Sequence, residues 1–204
     1  MHIVDGVLAT PVLIGGAAIT VAGIGLGLRA LPMERIPVAG MMSAAFFVAS
    51  LIHVPVGPTS VHLILSGLAG MILGWTAFPA LFVGLLLQAV FFGFGGITVL
   101  GVNSANIALP AVVIGLLLRS RLATASPRAA AVWAGIGGGL SISLTTLCVG
   151  VSLALSGDEF LPAARLVFVA HIPVMVVEGL LSAAAVWLIV RAKPELLGRT
   201  GVAG

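Results

Sequence analysis

Four histidines are the side chains of this sequence best suited to chemistry, and one stands beside the amino end, in MHIVDG. A free terminal amine, the next backbone amide and the following imidazole grip one metal ion together. The Met1 amine and the His2 amide nitrogen close a five-membered chelate ring, and the amide and Nδ1 of His2 close a six-membered one. Three nitrogens then lie near one plane, and a fourth corner stays open for a histidine from elsewhere. The amide must lose its proton, which only a strongly polarising cation induces. Such planar nitrogen sites suit Cu(II) or Ni(II). The plain alternative is that a histidine at position two simply decorates a terminus.

The stretch HVPVGPTSVHLILSGLAG, 53–70, holds two more histidines. Pro55, Gly57 and Pro58 predict a tight turn. Thr59 or Ser60 is placed to cap a following helix, with His62 in its first turn as a ligand candidate. His53 reads as a hydrogen-bonded helix-end histidine rather than a ligand. The stretch HIPVMVVEG, 171–179, pairs His171 with Glu178, seven residues on and therefore on the same helix face. An acid inside an apolar span marks a functional hypothesis. Glu178 has three open roles: guiding a cation, orienting a histidine, or pairing with a buried polar group. Met41, Met42, Met71 and Met175 read as core. The lone Cys148 has no partner for an internal disulfide.

These groups need elements to hold them. Of the 204 residues, 60% are hydrophobic and 7% charged, against about 25% charged in ordinary soluble domains. The apolar runs recur along the whole length, which predicts one all-α polytopic membrane domain over 1–204. Seven spans are expected, at 11–31, 37–54, 60–76, 78–95, 107–120, 129–156 and 161–190. Residues 1–10 form a metal-binding loop and 191–204 a short tail. No basic export segment opens the chain, so no cleaved signal is expected, and retention of Met1 is.

Charge sets the orientation. With the N-terminus outside, Arg29, Arg35, Arg119, Arg121, Arg128, Arg191, Lys193 and Arg199 are cytoplasmic, which is eight of nine basic residues. Only Arg165 stays outside. The positive-inside rule therefore favours seven spans, N-terminus out and C-terminus in. The net charge of +3 then reflects topology and not a nucleic-acid surface. All four histidines fall in the outer half, together with Asn103 and Asn106.

MHIVDG at 1–6, HVPVGPTSVHLILSGLAG at 53–70, GGITVLGVNSANIALP at 95–110 and HIPVMVVEG at 171–179 together resemble the CbiM/NikM family. These are the substrate-binding membrane (S) components of cobalt and nickel energy-coupling-factor (ECF) transporters. The resemblance implies a seven-helix fold, with one extra helix before a six-helix core and the free N-terminus folded back into the bundle. It implies metal ligands at Met1 (amine), His2 (amide and imidazole) and His62. His53, Ser60, Asn103, His171 and Glu178 are candidates to support them. It implies Co(II) or Ni(II) as the transported substrate, with no organic cofactor. The implied partners are a coupling transmembrane (T) component, two ATP-binding-cassette ATPase subunits and a small accessory membrane protein. The setting is the inner or plasma membrane of a prokaryote. The family start is usually Met-His-Ile-Pro-Asp-Gly, and Val4 replaces the proline here.

No P-loop is present, so ATP hydrolysis must come from partners. The leading reading is metal capture for an ATP-driven importer. A stand-alone metal channel or secondary carrier is the runner-up. An intramembrane hydrolase using Ser60 and His62 ranks lower, because on a helix residues two apart do not face each other.

Overall fold

The computed structural model describes residues 2–51, 53–56 and 59–199, with the side chains of 53–61 outside that description. It is an α-helical bundle with one small hairpin. Helix α1 spans Thr10–Arg29, α2 Ile36–Ala49, α3 Ser66–Leu73, α4 Ala77–Phe92, α5 Leu100–Thr124, α6 Pro127–Ala154 and α7 Leu161–Ala192. Strands β1, His53–Val56, and β2, Thr59–His62, stand between α2 and α3. Prolines at the first turns of α1, α2, α6 and α7 occupy positions whose N–H has no helical partner to lose.

Among the described residues, five stretches are long and apolar enough to cross a membrane: Thr10–Arg29, Ser66–Phe92, Leu100–Thr124, Pro127–Ala154 and Asp158–Ala192. The second is no straight rod. Gly74 adopts φ 58°, ψ −129° and separates α3 from α4. The outward faces are apolar, as with Ile14, Leu28, Val132, Leu180 and Leu188. That inverts the pattern of a water-soluble protein and fits a lipid surround.

Three expected spans differ from what forms. The second was placed at 37–54, but α2 has 14 residues, about 21 Å of helix. That falls short of a hydrocarbon core of about 30 Å. The third was expected to begin at residue 60 under a Thr59 or Ser60 cap. Residues 59–62 are instead a strand, antiparallel to β1, with His53 opposite His62 and Pro55 opposite Ser60. The cause is local: Val54, Val56, Thr59 and Val61 are β-branched and favour extended backbone. The fifth span, expected at 107–120, runs over Leu100–Thr124. Asn103 and Asn106, which the expected span leaves out, fall within this helix. Both are buried in α5, where other polar groups satisfy them.

Helix α3 is the axis of the bundle. All eight of its residues are buried, and it packs on α5 and α6. At Gly70 any Cβ would run into the backbone of Ala111 on α5, so this approach requires glycine. Ser66 and Ser141 exchange a hydroxyl hydrogen bond of 3.2 Å between α3 and α6.

Two of the basic residues knot one end together. Arg35 donates to the carbonyls of Ile72 at 3.3 Å and Leu196 at 3.1 Å. Arg199 donates to those of Leu122 at 2.8 Å and Ala125 at 2.7 Å. Cations thus meet the exposed carbonyls at the ends of α3 and α5. The segment after α7, expected as a plain tail, is docked through these bonds and through buried Leu197.

Candidate metal site

The N-terminal segment enters the bundle as a strap without regular secondary structure. Asn103, in the first turn of α5, accepts from the Ile3 amide at 3.0 Å through Oδ1. Its Nδ2 donates to the Ile3 carbonyl, also at 3.0 Å. Ile3 itself is fully buried. Farther along, the Asp5 amide donates to the Gly95 carbonyl at 2.9 Å. The Asp5 carboxylate accepts from the Thr98 hydroxyl and, at 3.3 Å, from the Val99 amide. An acid at the start of α5 also meets the positive end of its dipole. The Ala9 amide then donates to the Ser156 hydroxyl at 3.1 Å, just before α1 begins.

This strap carries His2 to His62. The two rings stack with centroids 4.7 Å apart and planes 23° from parallel. Phe94 lies 6.0 Å from the His2 ring on a further stacked contact. Both histidines are 3% exposed. The Nδ1 of His62 is 2.8 Å from the Leu63 carbonyl. A carbonyl can only accept, so Nδ1 carries the proton and Nε2 is the nitrogen suited to a metal. His62 sits on the hairpin, outside the spanning helices. Burial pushes its imidazole down from the ordinary 6.5 to about 4, while the Leu63 carbonyl pulls the other way. The ring is therefore neutral at physiological pH, the form a metal needs.

Glu178 acts one step behind His62. Its fully buried carboxylate accepts from the Ile64 amide, and from the Leu65 amide at 2.8 Å and 3.0 Å through its two oxygens. Leu65 has φ 54°, a left-handed conformation for a bulky residue, directly before α3. Such backbone costs about 1–3 kcal/mol and persists only when its surroundings hold it. Of the roles open to Glu178, the one found is pairing with buried polar groups, and those groups are backbone amides. It fixes the path of the chain from His62 into α3.

His171 is buried on the same face of α7 as Glu178. Its Nδ1 donates to the Val167 carbonyl at 2.7 Å. Among the described residues, no three His, Cys, Asp or Glu side chains converge closely enough to hold an ion unaided. The site residues thus divide. His2 and His62 are brought together, Asn103 secures the strap, and Glu178 secures the strand exit. Met1 and the side chains of His53 and Ser60 lie outside the described residues. The objection to a Ser60–His62 pair that rested on helix spacing does not apply, since both positions stand on strand β2. The His62 nitrogen that a triad would give to an orienting carboxylate is instead engaged by a carbonyl.

The sequence reading missed the docking of Asp5, Phe94 and Ser156. For Asp5 a signal existed, because Asp-Gly marks a turn whose side chain bonds nearby backbone. Phe94 carried none, as aromatic contacts across distant elements leave no local pattern.

A profile of the CbiM family, described as the cobalt uptake substrate-specific transmembrane region, matches residues 2–196. A metal transport protein of Haemophilus influenzae, named as such only provisionally, is 45% identical over 202 residues, covering 98% of each chain. The fused nickel transport protein NikMN of Rhodobacter capsulatus is 30% identical and covers 97% of this chain, which spans 64% of that longer protein. The crystal structure of a truncated transition metal transporter superposes with a TM-score of 0.70 at 24% identity, covering 96% of this chain and 99% of that one. At that identity the likeness is one of fold.

Proposed function

The chain belongs to the CbiM family of cobalt uptake substrate-specific transmembrane regions, multi-pass membrane components of cobalt and nickel transport, and on that premise we propose that it captures Co(II) or Ni(II) through its own N-terminus. The Met1 amine, the His2 amide and the His2 Nδ1 give three nitrogens, and the His62 Nε2 gives the fourth. The observation that carries this reading is the buried stack of His2 on His62 at 4.7 Å. The stack sets the His2 ring against the His62 ring at the inner end of the strap, where the terminal chelate and a fourth ligand would meet.

The strap explains how an ion would enter and leave. Asn103 and Asp5 hold it by backbone bonds, so it docks as a unit and can lift as a unit. Its release belongs to partners: a coupling transmembrane component, two ATP-binding-cassette ATPases and a small accessory membrane protein, assembled as an ECF-type importer. Seven passes with the N-terminus outside and the C-terminus in the cytoplasm suit this scheme. The Arg35 and Arg199 contacts at one end of the bundle support that orientation, because basic residues concentrate on the cytoplasmic side. The prokaryotic inner or plasma membrane is the corresponding location.

The test is metal accumulation in proteoliposomes holding the chain with and without its coupling and ATPase subunits. Accumulation that requires both subunits and ATP is the expected result. Equal accumulation by the chain alone would identify a carrier or channel instead.

A further inference from the structure

His171 is 0% exposed within α7. Its Nδ1–H is committed to the Val167 carbonyl one turn earlier, which leaves the lone pair on Nε2. That Nε2 has no hydrogen-bond partner among the described residues. An unsatisfied buried acceptor costs about 1–3 kcal/mol and calls for a reason. The bundle offers one nearby. Strand β2, which carries His62, packs on α7, and Glu178, two turns along the α7 face that holds His171, accepts from the Ile64 and Leu65 amides just after His62. His62 is arranged in the same way, with Nδ1 on a backbone carbonyl. Metal-ligating histidines characteristically place their other ring nitrogen on such an acceptor. Yet His2, His62 and His171 do not form one tight cluster, so His171 is not a simultaneous partner of His2 in this conformation.

We propose that His62 and His171 form a second, transient site for the divalent cation, occupied after the terminal chelate lets go. The proposal rests on the reading of the chain as a metal-capture component. In the transfer, the bonds from the ion to the Met1 amine, the His2 amide and the His2 Nδ1 break. The bond to His62 Nε2 persists, and one to His171 Nε2 forms. Water completes the coordination shell and returns the amide proton. The oxidation state does not change. Two imidazoles hold an ion less firmly than the chelate, as befits a station on the way out.

The experiment uses the full chain with His2→Ala, titrated with Co(II) and followed by visible d–d absorption and calorimetry. His2→Ala is expected to bind one Co(II) at least about tenfold more weakly than the parent, in line with what even outer partners of a metal site are worth. Adding His171→Ala, His171→Gln or His62→Ala abolishes that residual binding while the melting temperature holds. The glutamine variant keeps a buried polar side chain, so shared loss points to the imidazole rather than to packing. His171→Ala alone retains tight binding but loses ATP-driven uptake. Residual binding that survives both His171 substitutions overturns the proposal, as does a folded His2→Ala chain that binds no Co(II). His2→Ala binding as tightly as the parent removes the terminal chelate itself, and the transfer with it, an outcome distinct from the other two.

Discussion

Asn103 holds Ile3 by both edges of its backbone, accepting from the amide and donating to the carbonyl at 3.0 Å each. One buried side chain thereby replaces a strand partner, and His2 next door inherits the fixed position. Asn103→Ala should leave two buried backbone groups unsatisfied. The expected loss is about 2 kcal/mol, or roughly thirtyfold in Ni(II) affinity. Calorimetric titration checks it, and unchanged affinity would show that the strap docks without this clamp.

Two glycines separate strain from clash. Gly93 has φ +67° and open space where a Cβ would stand, whereas Gly95 has φ +78° with Asn103 Nδ2 only 2.8 Å from that position. Both alanine variants should lose about 1–2 kcal/mol of stability for the left-handed backbone. Only Gly95→Ala should also displace Asn103 and weaken metal binding. Thermal melting and titration of the pair distinguish these effects. Equal affinities in the two variants would place the clamp elsewhere.

Glu178 is a positioning residue for the strand that carries His62. Glu178→Ala strips acceptors from the Ile64 and Leu65 amides, at about 1–3 kcal/mol for each. Glu178→Gln keeps one acceptor oxygen but sets an NH2 group against the Leu65 amide. The order expected for both melting temperature and Ni(II) affinity is parent, then Gln, then Ala. Intact affinity in a folded Glu178→Ala chain would separate the carboxylate from the site.

Much of this was legible in the residue string, and the failures have physical causes. The helical runs α1, α6 and α7 were found within two residues at each end, because long apolar stretches that open on proline leave little choice. Asn103 and Asn106 misled the reading of α5: polarity suggests a loop unless the partner is known, and their partners, Ile3 and Ser152, are far away in sequence. The hairpin at 53–62 was read as helix ends because an apolar run of that length suits either state. The pairing of His2 with His62 was expected only through family resemblance and chelate chemistry. The role of Glu178 could be read only as one of three alternatives, since a carboxylate serving backbone amides leaves no mark on the sequence it serves.

Metal affinity should rise with pH through the range of the terminal amine, whose reference pKa is about 7.7–8.0. The sign follows from the ligands. A protonated amine cannot bind, so each step down in pH sets protons against the cation. His62 adds nothing to this slope near neutrality, because its imidazole, held at about 4, is already neutral there. Calorimetry in buffers of different ionisation enthalpy should show proton release from the amine and the amide. Binding with no proton release would indicate a site of neutral histidines only.

The central claim is that the terminal amine itself is a ligand. The direct measurement is Ni(II) titration of the chain with a free Met1 beside the same chain carrying a Gly-Ser extension before Met1, with matched melting curves. The extension moves the charged amine away from His2 and leaves every side chain in place. The extended chain is expected to bind Ni(II) at least about tenfold more weakly than the free form. Equal affinity in the two would contradict it and assign capture to the histidine side chains alone.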